Sequence, residues 1–89
     1  MKKQFTRETI NETICRIISE ILEEEIPSRE ESAKLVNDIG LDSMGFLELA
    51  VQIQREFDVI IKNEEWESIK TLSNVFDVIQ RKLEENGIK

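Results

Sequence analysis

Histidine and tyrosine are absent from the sequence, and Cys15 is its single cysteine. Those gaps remove whole classes of chemistry. Without imidazole and with one thiol there is no zinc ligand set, no Ser-His-Asp or Cys-His catalytic group and no disulfide framework. A lone thiol without a secretory segment fits a reducing compartment, so the expected location is the cytoplasm. No apolar run long enough for a signal peptide or a membrane span follows the basic start Met1-Lys2-Lys3-Gln4. Proline and glycine are scarce, with Pro27, Gly40, Gly45 and Gly87 the complete set. No Ser/Gly/Pro-rich linker stands at either terminus, and the chain reads as one free-standing domain over residues 1–89. Basic residues are in the minority, 12 Lys and Arg against 19 Asp and Glu, for a net charge of −7. That balance argues against nucleic acid and anionic membranes and favours basic protein partners. A chain of this length buries only roughly 60–65% of its unfolded surface, which predicts a modest core and no deep, enzyme-sized cavity.

What is present is helical periodicity. Thr6 is a good N-cap, and Phe5 and Ile10 occupy the two positions of a hydrophobic staple. Ile10, Ile14, Ile17, Ile18 and Ile21 then recur at spacings of three and four, which puts one apolar stripe on a first helix. Glu23, Glu24 and Glu25 crowd its C-terminal end, against the helix dipole, and Pro27 is expected to stop it. Residues 28–42 are polar with the apolar anchors Ala33, Leu35, Val36, Ile39 and Leu41, and read as a long loop holding function or a docked turn.

A second helix is expected from about Ser43 to Phe57. Leu49, Ile53 and Phe57 repeat every fourth residue, and Met44, Leu47, Ala50 and Val51 broaden the apolar face. Residues 58–61 have strand propensity but no partner strand, and are read as extended loop. Residues 63–69 are expected to hold a short helix with Trp66 turned inward. Thr71 or Ser73 caps a last helix marked by Leu72, Val75, Phe76, Ile79 and Leu83, with Gly87 just past its end. The expected fold is therefore all-α: a four-helix bundle with three longer helices and one short.

Residues 38–44 read Asp38-Ile39-Gly40-Leu41-Asp42-Ser43-Met44, directly before the second helix. From the residues alone, Gly40 permits a tight turn, Leu41 anchors in the core, and Asp42 or Ser43 is a natural N-cap. Calcium is rejected, because the twelfth position counted from Asp38 is Leu49 and not the glutamate an EF-hand loop requires. A helix N-terminus also favours an anion, through unpaired backbone N–H groups and the positive end of the dipole.

The same run, followed by Leu49, Ile53 and Phe57 on one helix, resembles the carrier-protein family, the acyl and peptidyl carrier proteins. The resemblance spans nearly the whole chain. It implies that Ser43 bears a phosphopantetheine arm as a phosphodiester, and that the terminal thiol of the arm carries acyl cargo as a thioester. It implies no catalytic residue. The implied partners are a phosphopantetheinyl transferase, an acyl-loading ligase or transferase, and ketosynthase-type or other acyl-using enzymes, with the chain itself a monomer. An aminoacyl or peptidyl carrier with the same serine is the alternative, since a similar Asp-Ser-Met-Gly run occurs in D-alanyl carrier proteins. An unmodified helical adaptor is the more distant one.

Partner docking is assigned to Asp42, Met44, Leu47, Glu48 and Val51. Met44, Leu47 and Val51 form an apolar centre if they lie outward, and ordinary core if they do not. Residues 38–67 hold eight acids against Arg55 and Lys62, so most of the net charge lies here and would steer basic-faced enzymes toward Ser43. Within the second helix only Glu48 and Glu56 are acidic. Carriers of dissociated fatty-acid synthesis are typically more acidic there, which leaves room for a dedicated acyl, aminoacyl or polyketide-type pathway. Gly45, inside the first turn, is read as admitting the arm or a partner closely. Cys15 is a packing residue.

Overall fold

The computed structural model describes residues 6–87. The first helix, α1, spans Arg7–Leu22 and opens as its sequence predicts, with Thr6 Oγ1 accepting the Thr9 N–H at 3.1 Å. Phe5, the expected staple partner, lies outside the described residues. The helix does not wait for Pro27. Glu23 takes the left-handed conformation at φ 61°, the Glu23 N–H donates to the Glu20 carbonyl and the Glu24 N–H to that of Ser19. Ser19 Oγ then accepts the Ile26 N–H at 3.1 Å and turns the chain inward. Glu23, Glu24 and Glu25 therefore belong to the cap and the turn after it, not to the last helical turn.

In the long loop, Leu35–Ile39 winds into a single π-helical turn. Gly40 closes it at φ 96°, a conformation open to glycine at no steric cost, and its N–H reaches the carbonyls of Leu35 and Val36. Ala33, Leu35, Ile39 and Leu41 are buried as expected, but Val36 is 62% exposed. Leu35 and Ile39, four residues apart in this turn, share the face toward the core, and Val36 falls on the outer side.

Helix α2 spans Ser43–Phe57, α3 spans Asn63–Glu67 and α4 spans Leu72–Gly87. Asp58, expected to open an extended loop over 58–61, is instead the left-handed C-cap of α2 at φ 56°, and residues 59–62 lead to α3 without strand pairing. Thr71 is the cap of α4: its Oγ1 accepts the Asn74 N–H, and Asn74 Oδ1 returns the favour to the N–H groups of Lys70 and Thr71. Gly87 lies in the last turn of α4 rather than beyond it. Among the described residues one β-bridge occurs, pairing Lys34 with Thr71 antiparallel.

The core is built by the predicted stripes. Ile10, Ile14, Ile17 and Ile18 of α1 meet Leu49 and Ile53 of α2 and Leu72, Val75 and Ile79 of α4, all 2% exposed or less. Cys15 is fully buried among them, and burial pushes its thiol above the usual range, with Arg29 pulling weakly the other way. Surface ties join the elements. Arg7 makes two 2.8 Å bonds to Glu31 and lies 4.2 Å above the Phe76 ring, while Glu65 of α3 bridges Arg81 and Lys82 of α4.

The Glu65 carboxyl is held below its ordinary value of 4.5, chiefly by the backbone N–H of Lys62 and then by the cations of α4. A lowered carboxyl pKa adds stability that is complete above the ordinary value and is lost as pH falls through the lowered one. Glu65→Gln should therefore melt a few degrees below the parent at neutral pH. The gap should close progressively below pH 4.5, as read by circular dichroism at a series of pH values.

Candidate functional site

Two residues apart in sequence, Leu41 is 2% exposed and Ser43 stands on the surface. The turn between them is made by Asp42, whose backbone is extended and whose Oδ1 accepts the Gly45 N–H at 2.8 Å. Asp42 is thus the N-cap of α2 and Ser43 its first residue. The Phe46 N–H reaches the Asp42 carbonyl at 2.8 Å. That leaves the N–H groups of Ser43 and Met44 with no acceptor among the described residues, at the positive end of a fifteen-residue helix. An exposed hydroxyl beside two unengaged N–H donors fits a phosphodiester.

Gly45 faces inward. A Cβ built there would stand 3.1 Å from Leu41 Cδ2, 3.2 Å from Asp42 Oδ1 and 3.4 Å from Ile21 Cγ2. The close approach that Gly45 permits is therefore between α2 and the rest of its own chain, not the approach of an arm or a partner. This corrects the expectation from sequence.

Met44, Leu47 and Val51 point outward, at 74%, 66% and 52% exposure, with Glu48 exposed among them. Their spacing puts them on one face of α2, opposite the buried Leu49, Ile53 and Phe57. Asp42, Ser43, Met44, Leu47, Glu48 and Val51 thus form a continuous surface running from the start of the helix down its outer side. The surrounding acids are less uniform than their count suggests. Asp38 Oδ2 accepts the Lys34 N–H at 2.8 Å, Asp42 caps α2, Glu56 pairs with Arg16 and Glu65 with Arg81 and Lys82. Glu48, Asp58, Glu64 and Glu67 enter no ion pair among the described residues.

The sequence did not disclose an open cleft of about 540 Å³ beside Ser43. Its apolar walls come from Leu35 and Leu41 in the loop, Phe46 in α2, and Trp66 and Ile69 in and after α3. The Phe46 and Trp66 rings meet edge to face, 5.5 Å apart. Lys34, Lys70, Asp42 and Glu67 line it as well. It is an open cleft and not the deep cavity that the chain length argues against. It lies between α2, the loop and α3, which is only five residues long. Trp66, expected inward, was the one legible sign of it. Among the described residues no cluster of metal-ligating side chains occurs, and no helix is long and apolar enough to cross a membrane.

Comparison with known proteins gives a consistent result. Residues 12–79 match the family profile described as the phosphopantetheine attachment site. The chain is 37% identical over 73 residues to the acyl carrier protein of Buchnera aphidicola (subspecies Acyrthosiphon pisum), an alignment covering 82% of this chain and 91% of that one. It is 33% identical over 78 residues to the acyl carrier protein of Thermotoga maritima, covering 88% and 96%. The crystal structure of an acyl carrier protein from Thermotoga maritima superposes with a TM-score of 0.79 at 25% identity, covering 89% of this chain and 92% of the other.

The packing at Gly45 yields a direct test. Alanine is the better helix former by about 1 kcal/mol. Both of its near neighbours are anchored, however, Leu41 by burial and Asp42 by its capping bond, so crowding should win. Gly45→Ala should lower stability by about 1 kcal/mol in urea titration. Unchanged or raised stability would show that the first turn of α2 is not tightly seated.

Proposed function

The chain belongs to the acyl carrier protein family, and on that ground we propose that Ser43 is the residue that takes the phosphopantetheine arm. The observation that carries this reading is the exposed Ser43 hydroxyl at the start of α2, with the N–H groups of Ser43 and Met44 unengaged beside it. When bound, the arm supplies a thiol on which acyl groups travel as thioesters. The chain's own residues do the rest. Asp42 fixes the first turn so that the hydroxyl projects into solvent, where a phosphopantetheinyl transferase can reach it. The two free N–H groups and the helix dipole stabilise the phosphodiester once formed. The chain is a carrier and not a catalyst.

Met44, Leu47 and Val51, with Glu48 and Asp42 at the margin, form the docking face for the enzymes that load and use the cargo. Exposed apolar side chains on one face, rimmed by carboxylates, suit partners with a basic rim around an apolar patch. Such encounters weaken as salt rises. The expected setting is the cytoplasm, with the carrier acting as a monomer among an acyl-loading ligase or transferase and ketosynthase-type enzymes. An aminoacyl or peptidyl carrier using the same serine is the alternative reading, separated by challenging the holo-protein with acyl and aminoacyl ligases.

Incubation with a broad-specificity phosphopantetheinyl transferase and coenzyme A should add one phosphopantetheine by intact mass. Ser43→Ala should block the addition completely while leaving the helical circular dichroism spectrum unchanged. Attachment at another residue, or none in the parent with several transferases, would overturn the proposal.

A further inference from the structure

The outer face of α2 does not carry one sign of charge along its length. Met44, Leu47, Glu48, Val51 and Arg55 recur at spacings of three and four and are all exposed. They stand in one row on the side away from the core. Asp42 and Glu48 lie toward the Ser43 end of that row, whereas Arg55 ends it in the last turn of the helix. The remaining charge of α2, Glu56, is drawn toward α1, where Arg16 holds it at 3.4 Å. Arg55 enters no ion pair among the described residues, not even with Asp58 three residues on. Arg29, Lys34, Lys62 and Lys70 enter none either, but Arg55 alone of these stands on the row. A cation in the last turn suits the helix dipole, and the dipole accepts it on any side of the helix. It does not account for a guanidinium in line with three exposed apolar side chains.

We propose that Arg55 gives the docking face a direction. Its partner is an acyl-using enzyme that sets a carboxylate against Arg55 and a basic side chain against Glu48. This rests on Ser43 carrying the arm and on the docking face described above. Glu48 and Arg55 are seven residues apart, about 10 Å along the helix axis at 1.5 Å per residue. The basic and acidic groups of the partner therefore stand about 10 Å apart, on either side of an apolar patch that receives Val51. A guanidinium meets a carboxylate through two parallel hydrogen bonds, which fixes orientation as well as position. Seating the helix backwards would bring like charges together at both ends. The arm is thus offered to the active-site entrance in one orientation. A wholly basic surface, which an all-acidic helix would welcome, is repelled at Arg55.

The test uses acetyl-loaded holo-protein and purified ketosynthase-type enzymes, ranked by kcat/KM for the acetyl thioester at low salt. Arg55→Lys, which keeps the charge, is then coupled to the best enzyme with a carbodiimide, and the cross-links are mapped by mass spectrometry. The new ammonium should couple to a carboxylate of the enzyme beside its active-site entrance. Reversing that carboxylate to lysine should lower kcat/KM about tenfold, and so should Arg55→Glu on the carrier. The two reversals together should recover most of the loss, because opposite charges face each other again. Each carrier variant is checked for the parental circular dichroism spectrum and melting temperature. A merely structural role for Arg55 would give losses that no change in the enzyme repairs, and that result would overturn the inference. So would Arg55→Glu raising kcat/KM with the best enzyme, or cross-links that never include position 55. A protein that no transferase can convert to the holo form sinks the serine assignment. A holo-protein used equally well with Arg55→Glu sinks this inference alone.

Discussion

The seat of α2 on α1 governs the arrangement around Ser43. At Gly45 the two helices come so close that a methyl group would touch Ile21, while Leu41 is packed beneath the same turn and Asp42 closes it from above. With Leu41 held inside and Gly45 pressed inward, Ser43 between them stands on the surface at the edge of the cleft. The reach of the hydroxyl is thus a consequence of packing two residues to either side of it. Neither the charge of the surface nor the identity of the serine's neighbours would achieve this without that seat.

Helix α2 carries apolar residues on two opposed faces, one buried and one in water. Leu49, Ile53 and Phe57 are 3% exposed or less and hold the helix to the core. Met44, Leu47 and Val51 are more than half exposed and contribute nothing to that packing. A helix that needed only to fold would keep its outer face polar. The cost of leaving large apolar side chains in water is consistent with a face that is covered transiently, by partners that must also let go.

Much of this was legible in the sequence, because helix-forming stripes and caps are local. The stripe of isoleucines in α1, the fourfold repeat in α2, the Asp42–Ser43 start and the inward Trp66 all follow from spacings within one turn or two. Features set by contacts far along the chain were not. The end of α1 at Leu22 depends on a left-handed Glu23, which no residue-type rule demands. The outward turn of Val36 depends on a π winding that shifts the face its neighbours present. The cleft brings together the loop and the segment after α3, which pair at Lys34 and Thr71 far along the chain, and Phe46 gave no hint that it would meet Trp66 across that space. Gly45 was read as admitting the arm or a partner, but its near neighbour Ile21 lies on another element.

The claim on which the functional account turns is that one serine is the point of tether. It is tested most directly on protein purified from its own cells, by fragmentation mass spectrometry of the peptide that spans residues 38–51. The account predicts that this peptide carries a labile phosphopantetheine on Ser43 in a substantial fraction of molecules. A peptide recovered always at its bare translated mass, from cells growing actively, would contradict it.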